Sequence, residues 1–220
     1  LFSVVLMGMQ VGLLLNFINT TSVFASRSNA DIFITAPGVS SVDISTPQSE
    51  RRRYQSLSIE GVEKAEVITL DFALWKRDDG VRESILLTGV DPSSDMGQAW
   101  NLEPGTTTDL LRQPDAVIID RLYASKLGVT QVGQLVEINS VRVRVVGFTH
   151  GIRTFTQSPY VFTSLEHARR ITGFGANYAS YVLIRAKPGV NLDDLVKRIQ
   201  ERIPDSMVRT AKNFANASSN

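Results

Sequence analysis

The sequence predicts an α+β protein of two lobes behind an apolar helix. Three observations predict it: an uncharged apolar leader, short β-prone runs that alternate with capped helices, and a polar composition shift near the middle of the chain. At 220 residues the chain holds one or two domains and has ample length to bury a core. Twenty-three Lys and Arg against 22 Asp and Glu leave a net charge of +1, so no global field draws it to nucleic acid, which is set aside as a partner. With no Cys, disulfides, thiol catalysis and cysteine zinc sites are excluded.

Residues Leu1 to Ser26 contain no Asp, Glu, Lys or Arg. A membrane span takes about 20 mostly apolar residues. Leu1 to Ile18 comes close while carrying Gly8, Gln10, Gly12 and Asn16, and the expectation is a span that starts upstream of Leu1. Val4, Met7, Val11, Leu14 and Ile18 recur at spacings of 3 and 4 and make one helical packing face, which a buried soluble helix would also show. Gly8 and Gly12 form a small-xxx-small pair that lets helix backbones approach closely in lipid. From Asn16 to Asp31 the only cation is Arg27, and so charge-poor a continuation is easily translocated, which places the rest of the chain outside the cytoplasm.

Asp31 to Ala36 reads as a strand stopped by the turn Pro37-Gly38. Thr46-Pro47 is the expected start of a helix that runs through Arg51, Arg52 and Arg53 to about Ile59. Three adjacent arginines on a helix diverge by about 100° each and do not converge on one anion, so a solvated face with one or two ion pairs is the better reading than a phosphate clamp. Val62 to Lys76 is β-prone, and Asp78-Asp79-Gly80 is a hairpin turn into a strand over Glu83 to Val90.

Asp91 to Asp115 is polar and rich in Gly, Pro, Thr and Asp, with Trp100 and Leu102 as its anchors. Strands follow at Ala116 to Ile119, Gln134 to Ile138, Val141 to Phe148 and Tyr160 to Phe162, with Asp120 capping a short helix that ends at Gly128. Thr163 to Glu166 reads as a capping box for a helix that ends at Gly173. The final unit is a strand over Ser180 to Arg185, a helix capped by Asn191 with Leu192, Leu195, Val196, Ile199 and Ile203 on one face, and a strand over Met207 to Thr210. The division expected is a leader and stalk at 1–26, an outer α+β lobe from 27–90 and 178–214, an inserted β-rich lobe at 91–177, and a polar tail at 215–220.

No chemistry is visible. His150 and His167 lack a metal-ligand spacing, Gly173-Phe-Gly175 lacks the third glycine of a dinucleotide loop, and there is no nucleophile elbow or phosphate-binding loop. Neither a metal, a cofactor nor an enzyme is expected. Trp100, Phe155, Tyr160 and Phe174 are candidates for an aromatic partner-binding patch, although aromatics in a β-rich lobe also serve as core.

Several stretches together resemble the extracytoplasmic region of MacB/FtsX-type ABC transporter permeases, most like the DevC-type. They are Ala30-Asp-Ile-Phe-Ile-Thr-Ala-Pro37, Arg52-Arg-Tyr-Gln55, Ile59-Glu-Gly-Val62, Phe72-Ala-Leu-Trp-Lys76, Thr88-Gly-Val-Asp-Pro92 and Val145-Val-Gly-Phe148. Val208 to Phe214 is similar to the family's stretch before its second membrane helix, with Asn213 where an acid is usual. The resemblance implies a MacB-like periplasmic domain with a split β-α-β porter-like lobe and an inserted sabre-like lobe, held between two helices in the inner membrane. It further implies a second permease copy in a homodimer, an ATP-binding subunit, a periplasmic membrane-fusion adaptor and a TolC-like outer-membrane protein. In DevC-like members the implied cargo is glycolipid; other branches move macrolides, peptides or lipoproteins. An extracytoplasmic ligand-binding sensor domain is the alternative, and it calls for a pocket with convergent polar groups.

Overall fold

One strand runs through both halves of the molecule. In the computed structural model, which describes residues 23–39, 45–154 and 158–217, strand β3 spans Val62–Lys76 and joins a four-stranded outer sheet to a six-stranded barrel. The leader face formed by Val4, Met7, Gly8, Val11, Gly12, Leu14 and Ile18 lies outside the described residues. Among the described residues no helix is long and apolar enough to cross a membrane.

The outer sheet has the order β11-β1-β10-β3, from β1 (Ile32–Thr35), β10 (Tyr181–Ala186) and β11 (Met207–Thr210), all antiparallel to their neighbours. Helices α2 (Arg51–Leu57) and α4 (Leu192–Arg202) cover one face, where Ile32, Ile34, Val67, Val182, Leu195 and Ile199 are buried together. The short helices α1 (Val23–Arg27) and α5 (Ala211–Ala217) cover the other, over Phe24, Phe33, Tyr181 and Phe214. Sandwiched so, β3 is buried on both faces from Ala65 to Leu70, with Glu66 satisfied there by Arg53 and Lys64.

Beyond Leu70 the same strand alternates. Ala73 and Trp75 point inward while Phe72, Leu74 and Lys76 point to solvent. Here it pairs with β4 (Arg82–Val90), and the order continues through β8 (Tyr160–Ser164), β5 (Ala116–Asp120), β7 (Val141–Thr149) and β6 (Leu135–Ile138). β6 then pairs back to β3 at Trp75↔Ile138 and Lys76↔Glu137, so the ring closes and leaves no edge there. Ile85, Leu87, Val117, Val143, Val145 and Val161 fill it. Trp75 is wholly buried and donates from Nε1 to Leu127 O at 2.9 Å. Asn139 and Ser140 both take positive φ, the geometry of a tight hairpin turn between β6 and β7.

Three boundaries differ from expectation. Thr46-Pro47 does not start α2: residues Gln48–Ser49 form β2, paired with β9 (Tyr178–Ala179), and the helix begins at Arg51. Pairing with a distant strand overrides the local Pro signal. On α2 the arginines diverge, Arg51 to solvent, Arg52 to Asp205 at 3.0 Å and Arg53 to Glu66 at 3.1 Å. Thr163 stays in β8, and Ser164 is the cap of α3 (Leu165–Thr172), accepting from His167 N. Gly173 ends α3 in the left-handed region at φ 75°, which glycine reaches without strain. After Asp120 only one turn of 3-10 helix forms, over Arg121–Tyr123. Helix α5 was not foreseen in the polar segment after Thr210.

Candidate functional site

The chain enters and leaves the outer sheet on neighbouring strands, β1 and β11. Asp31, just before β1, accepts at its backbone carbonyl from Ala211 N at 2.8 Å, and its side chain accepts from Ala186 N at 2.8 Å. α1 and α5 pack side by side above that contact. Phe33, Tyr181 and Phe214 bring their ring centroids within 5.1 to 6.2 Å of one another beneath them. A groove of about 700 Å³ runs between the two helices past Ser26, Ala30, Asp31, Arg185 and Lys212.

Beside the groove an ion cluster ties the 91–101 segment to the outer sheet. Arg185 lies 2.8 Å from Asp95 and Lys64 lies 3.1 Å from it. The Arg185 hydrogen bond, helped by Lys64, holds the Asp95 carboxyl down at about 2. Lys64 also reaches Glu66 at 3.5 Å, so charge continues to Arg53 on α2.

The aromatic candidates separate. Tyr160 is 1% exposed, and it packs with Phe24, half-buried Trp100 and Phe162 at centroid distances of 5.5 to 6.2 Å. These rings build the wall between barrel and α1, so Tyr160 presents no surface to a partner. Phe174 is half-buried elsewhere, at the end of a groove of about 580 Å³ along α3 with Leu111, Leu165, Arg112 and Arg169. Phe155 lies outside the described residues.

Two buried polar groups carry more than sequence suggested. Asp120 is 1% exposed and accepts from Leu122 N, Thr149 Oγ1, Gly151 N and Ile152 N, all at 2.9 to 3.2 Å. A carboxylate so fully satisfied is a structural brace for the β7–β8 loop. His167 is buried, and its Nδ1 sits 3.0 Å from Thr163 Oγ1, which itself donates to Ala116 O. Thr163 therefore accepts from Nδ1–H, and Nε2 is left without a partner 3.6 Å from Asp115. Burial, reinforced by Arg170, lowers the His167 pKa, so the ring is neutral at pH 7. Among the described residues no group of His, Asp and Glu is arranged to hold a metal ion.

The features that stand out are the neighbouring entry and exit strands, one strand shared by both halves, and surface grooves. The family described as the MacB-like periplasmic core domain matches residues 1–202. The chain belongs to that family. Solved structures agree in fold. The periplasmic region of MacB from Actinobacillus actinomycetemcomitans superposes with a TM-score of 0.61 at 12% identity, covering 88% of this chain and 94% of that one. The extracellular domain of the noncanonic ABC-type transporter YknZ from Gram-positive bacteria gives 0.54 at 15% identity, over 82% and 98%. A domain of a permease protein from Porphyromonas gingivalis gives 0.51 at 16%, over 84% and 90%. No curated protein matches the chain.

As a MacB-like core domain, the chain is the periplasmic or extracellular part of an ABC transporter permease. The pairings β1–β11 and β3–β6 join segments far apart in the chain through backbone hydrogen bonds. The signal that pointed to them was the placement of the first and last strands next to the leader.

Proposed function

We propose that this domain transmits ATP-driven motion of a permease in the inner membrane to the periplasm, for export of a lipid-like or other hydrophobic cargo. The observation that carries the reading is the pairing of β1 with β11: Ile32 faces Thr210, so the incoming and outgoing ends of the domain are one rigid two-stranded root. A displacement of the membrane helices on either side moves that root, and β3 carries the motion outward. At about 3.3 Å per residue its 15 residues span about 50 Å. With the porter-like lobe at 27–90 and 178–214 and the sabre-like lobe at 91–177, the outer sheet belongs to the first and β5 to β8 to the second, while β4 and the far half of β3 are porter-like segments that complete the barrel.

ATP hydrolysis falls to a separate ATP-binding subunit, and the permease works as a homodimer with a membrane-fusion adaptor and a TolC-like outer-membrane duct. The resemblance to MacB/FtsX-type permeases, most like the DevC-type, supports a lipid-like or other hydrophobic cargo. Phe174, with its groove along α3, is one adaptor contact of this assembly.

The test uses the whole permease with its ATP-binding subunit in proteoliposomes. Adding the adaptor encoded beside it is expected to raise ATP hydrolysis and to form a complex stable to gel filtration. Absence of any adaptor complex, together with tight binding of a small polar molecule, would replace this reading with that of a ligand sensor.

A further inference from the structure

The barrel wall has one stretch that the rest of the chain leaves bare. On one side of the barrel the outward residues, such as Leu86, Ile118 and Phe162, are covered by the 96–111 segment and α1. On β3, however, Phe72 and Leu74 are 41% and 48% exposed, and on β6 Leu135 is 43% exposed. Exposed leucines are common singly, but Phe72 and Leu74 form an exposed apolar pair on one strand, with Leu135 four positions farther along the same wall.

Charge is organised around them. Arg82, Lys76, Glu137 and Arg142 stand in register across four strands, β4, β3, β6 and β7, and Arg144 faces Leu135. Lys76 is tied to Glu137 at 3.1 Å. Arg82, Arg142 and Arg144 are exposed and form no side-chain hydrogen bond or ion pair among the described residues. The other acids at this end are Asp78, Asp79, which is bound to Arg77 at 2.6 Å, and Glu83, which lies 3.6 Å from Lys126. The face is therefore net positive in a chain whose total charge is only +1. A hollow of about 490 Å³ opens within it between Lys76, Asp78, Leu135 and Arg142.

Position decides what kind of partner fits. Ala65 is level with Ile184 and so with Ile32 at the root of the domain. From Ala65 to Lys76 the strand advances eleven residues, about 36 Å at 3.3 Å per residue. On the permease reading above, on which this inference rests, that distance removes the face from the headgroups of the membrane that holds the root.

We propose that this wall docks an acidic, partly apolar segment of a partner protein outside the cytoplasm, the adaptor of the same assembly. Carboxylates of the segment meet Arg82 and Arg142, which stand about 14 Å apart across three strand spacings, and an apolar side chain seats against Phe72 and Leu74. Charge complementarity of this kind governs encounter and register, while the apolar contact holds the complex.

The test titrates the full permease, embedded in nanodiscs with its ATP-binding subunit, with the purified adaptor at low and high salt. The triple variant Arg82→Glu, Arg142→Glu, Arg144→Glu is expected to weaken binding at least tenfold and to flatten its salt dependence. Lys at the same three positions keeps binding within about threefold, because Lys retains the charge and loses only Arg's forked geometry. Leu74→Asp also weakens it at least tenfold, and all variants keep the wild-type melting temperature within a few degrees. Wild-type affinity in the triple Glu variant would overturn the proposal, and if Phe174→Ala loses binding at the same time, the permease reading survives with its contact moved to the groove along α3. Binding of these arginines to phosphatidylglycerol vesicles in place of the adaptor would overturn it too. Failure of the unaltered permease to bind the adaptor would overturn both.

Discussion

Ile32 and Thr210 face each other on antiparallel strands although 178 positions of chain separate them, and that pairing makes the two ends of the domain one structural unit. Directly opposite residues of an antiparallel pair have Cα atoms about 4.5–5.5 Å apart, inside the range a disulfide spans. The chain has no Cys of its own. Ile32→Cys with Thr210→Cys is expected to oxidise in air to a single intramolecular species, seen as a mobility shift on a non-reducing gel and as loss of two free thiols. Persistence of both thiols would show that the ends separate in solution.

Trp75 is where the barrel closes. Its ring is wholly buried beside Ile138, and its N–H satisfies Leu127 O. Trp75→Ala is expected to cost about 3–5 kcal/mol through the cavity it leaves. Trp75→Phe retains most of the volume but strands a buried carbonyl, which costs about 1–3 kcal/mol. Urea unfolding separates the two.

Gly89 and Ala168 form a second tight contact. A Cβ on Gly89 would lie 2.3 Å from Ala168 Cβ and 3.3 Å from the Leu165 backbone, so α3 seats on β4 only because both residues are small. Gly89→Ala is expected to destabilise by about 1–3 kcal/mol. Adding Ala168→Gly should recover a large part of that loss. Purely additive losses in the double variant would refute a steric origin.

Asp95 gives the domain an acid limit. Its folded pKa, about 2, lies below the ordinary aspartate value of 3.8 because Arg185 and Lys64 hold the carboxylate. A depressed acid pKa means that the unfolded chain binds the proton first. The stabilisation is therefore complete above about pH 4 and is lost as pH falls toward 2. Asp95 is 55% exposed at its side chain, so solvent screening holds the contribution to about 1 kcal/mol or less. In Asp95→Asn the stability difference from wild type, measured by chemical denaturation, should shrink over that window. A difference that is constant with pH would show that the ion cluster is not its source.

Local signals placed much of this fold because they act within a few residues. Asn191 accepts from Asp194 N at the start of α4, and Leu195 and Ile199 are the buried part of its stripe. Gly173 stops α3, the Asp78-Asp79-Gly80 turn joins β3 to β4, and Asn139-Ser140 joins β6 to β7. Each depends on a cap, a positive φ or a periodicity that the chain carries in its own neighbourhood.

Other features depended on residues that meet only in space. Helix α5 has little amphipathic pattern and forms because Phe214 finds Phe33 and Tyr181. β2 displaced the first turn expected of α2 because Gln48 could pair with Ala179. Whether Trp100 and Tyr160 form surface or wall was decided by Phe24, and whether Phe72 and Leu74 are covered was decided by where the 96–111 segment ends. By itself the sequence determined the kinds of element, their order and the likeness to a MacB-like domain. Tertiary structure decided that β3 is a single beam through two sheets, that Trp75↔Ile138 closes the barrel, and that Ile32 and Thr210 root both ends together. Strand pairing between distant segments rests on backbone hydrogen bonds, which every residue but proline can make, so no side-chain pattern announces the partner.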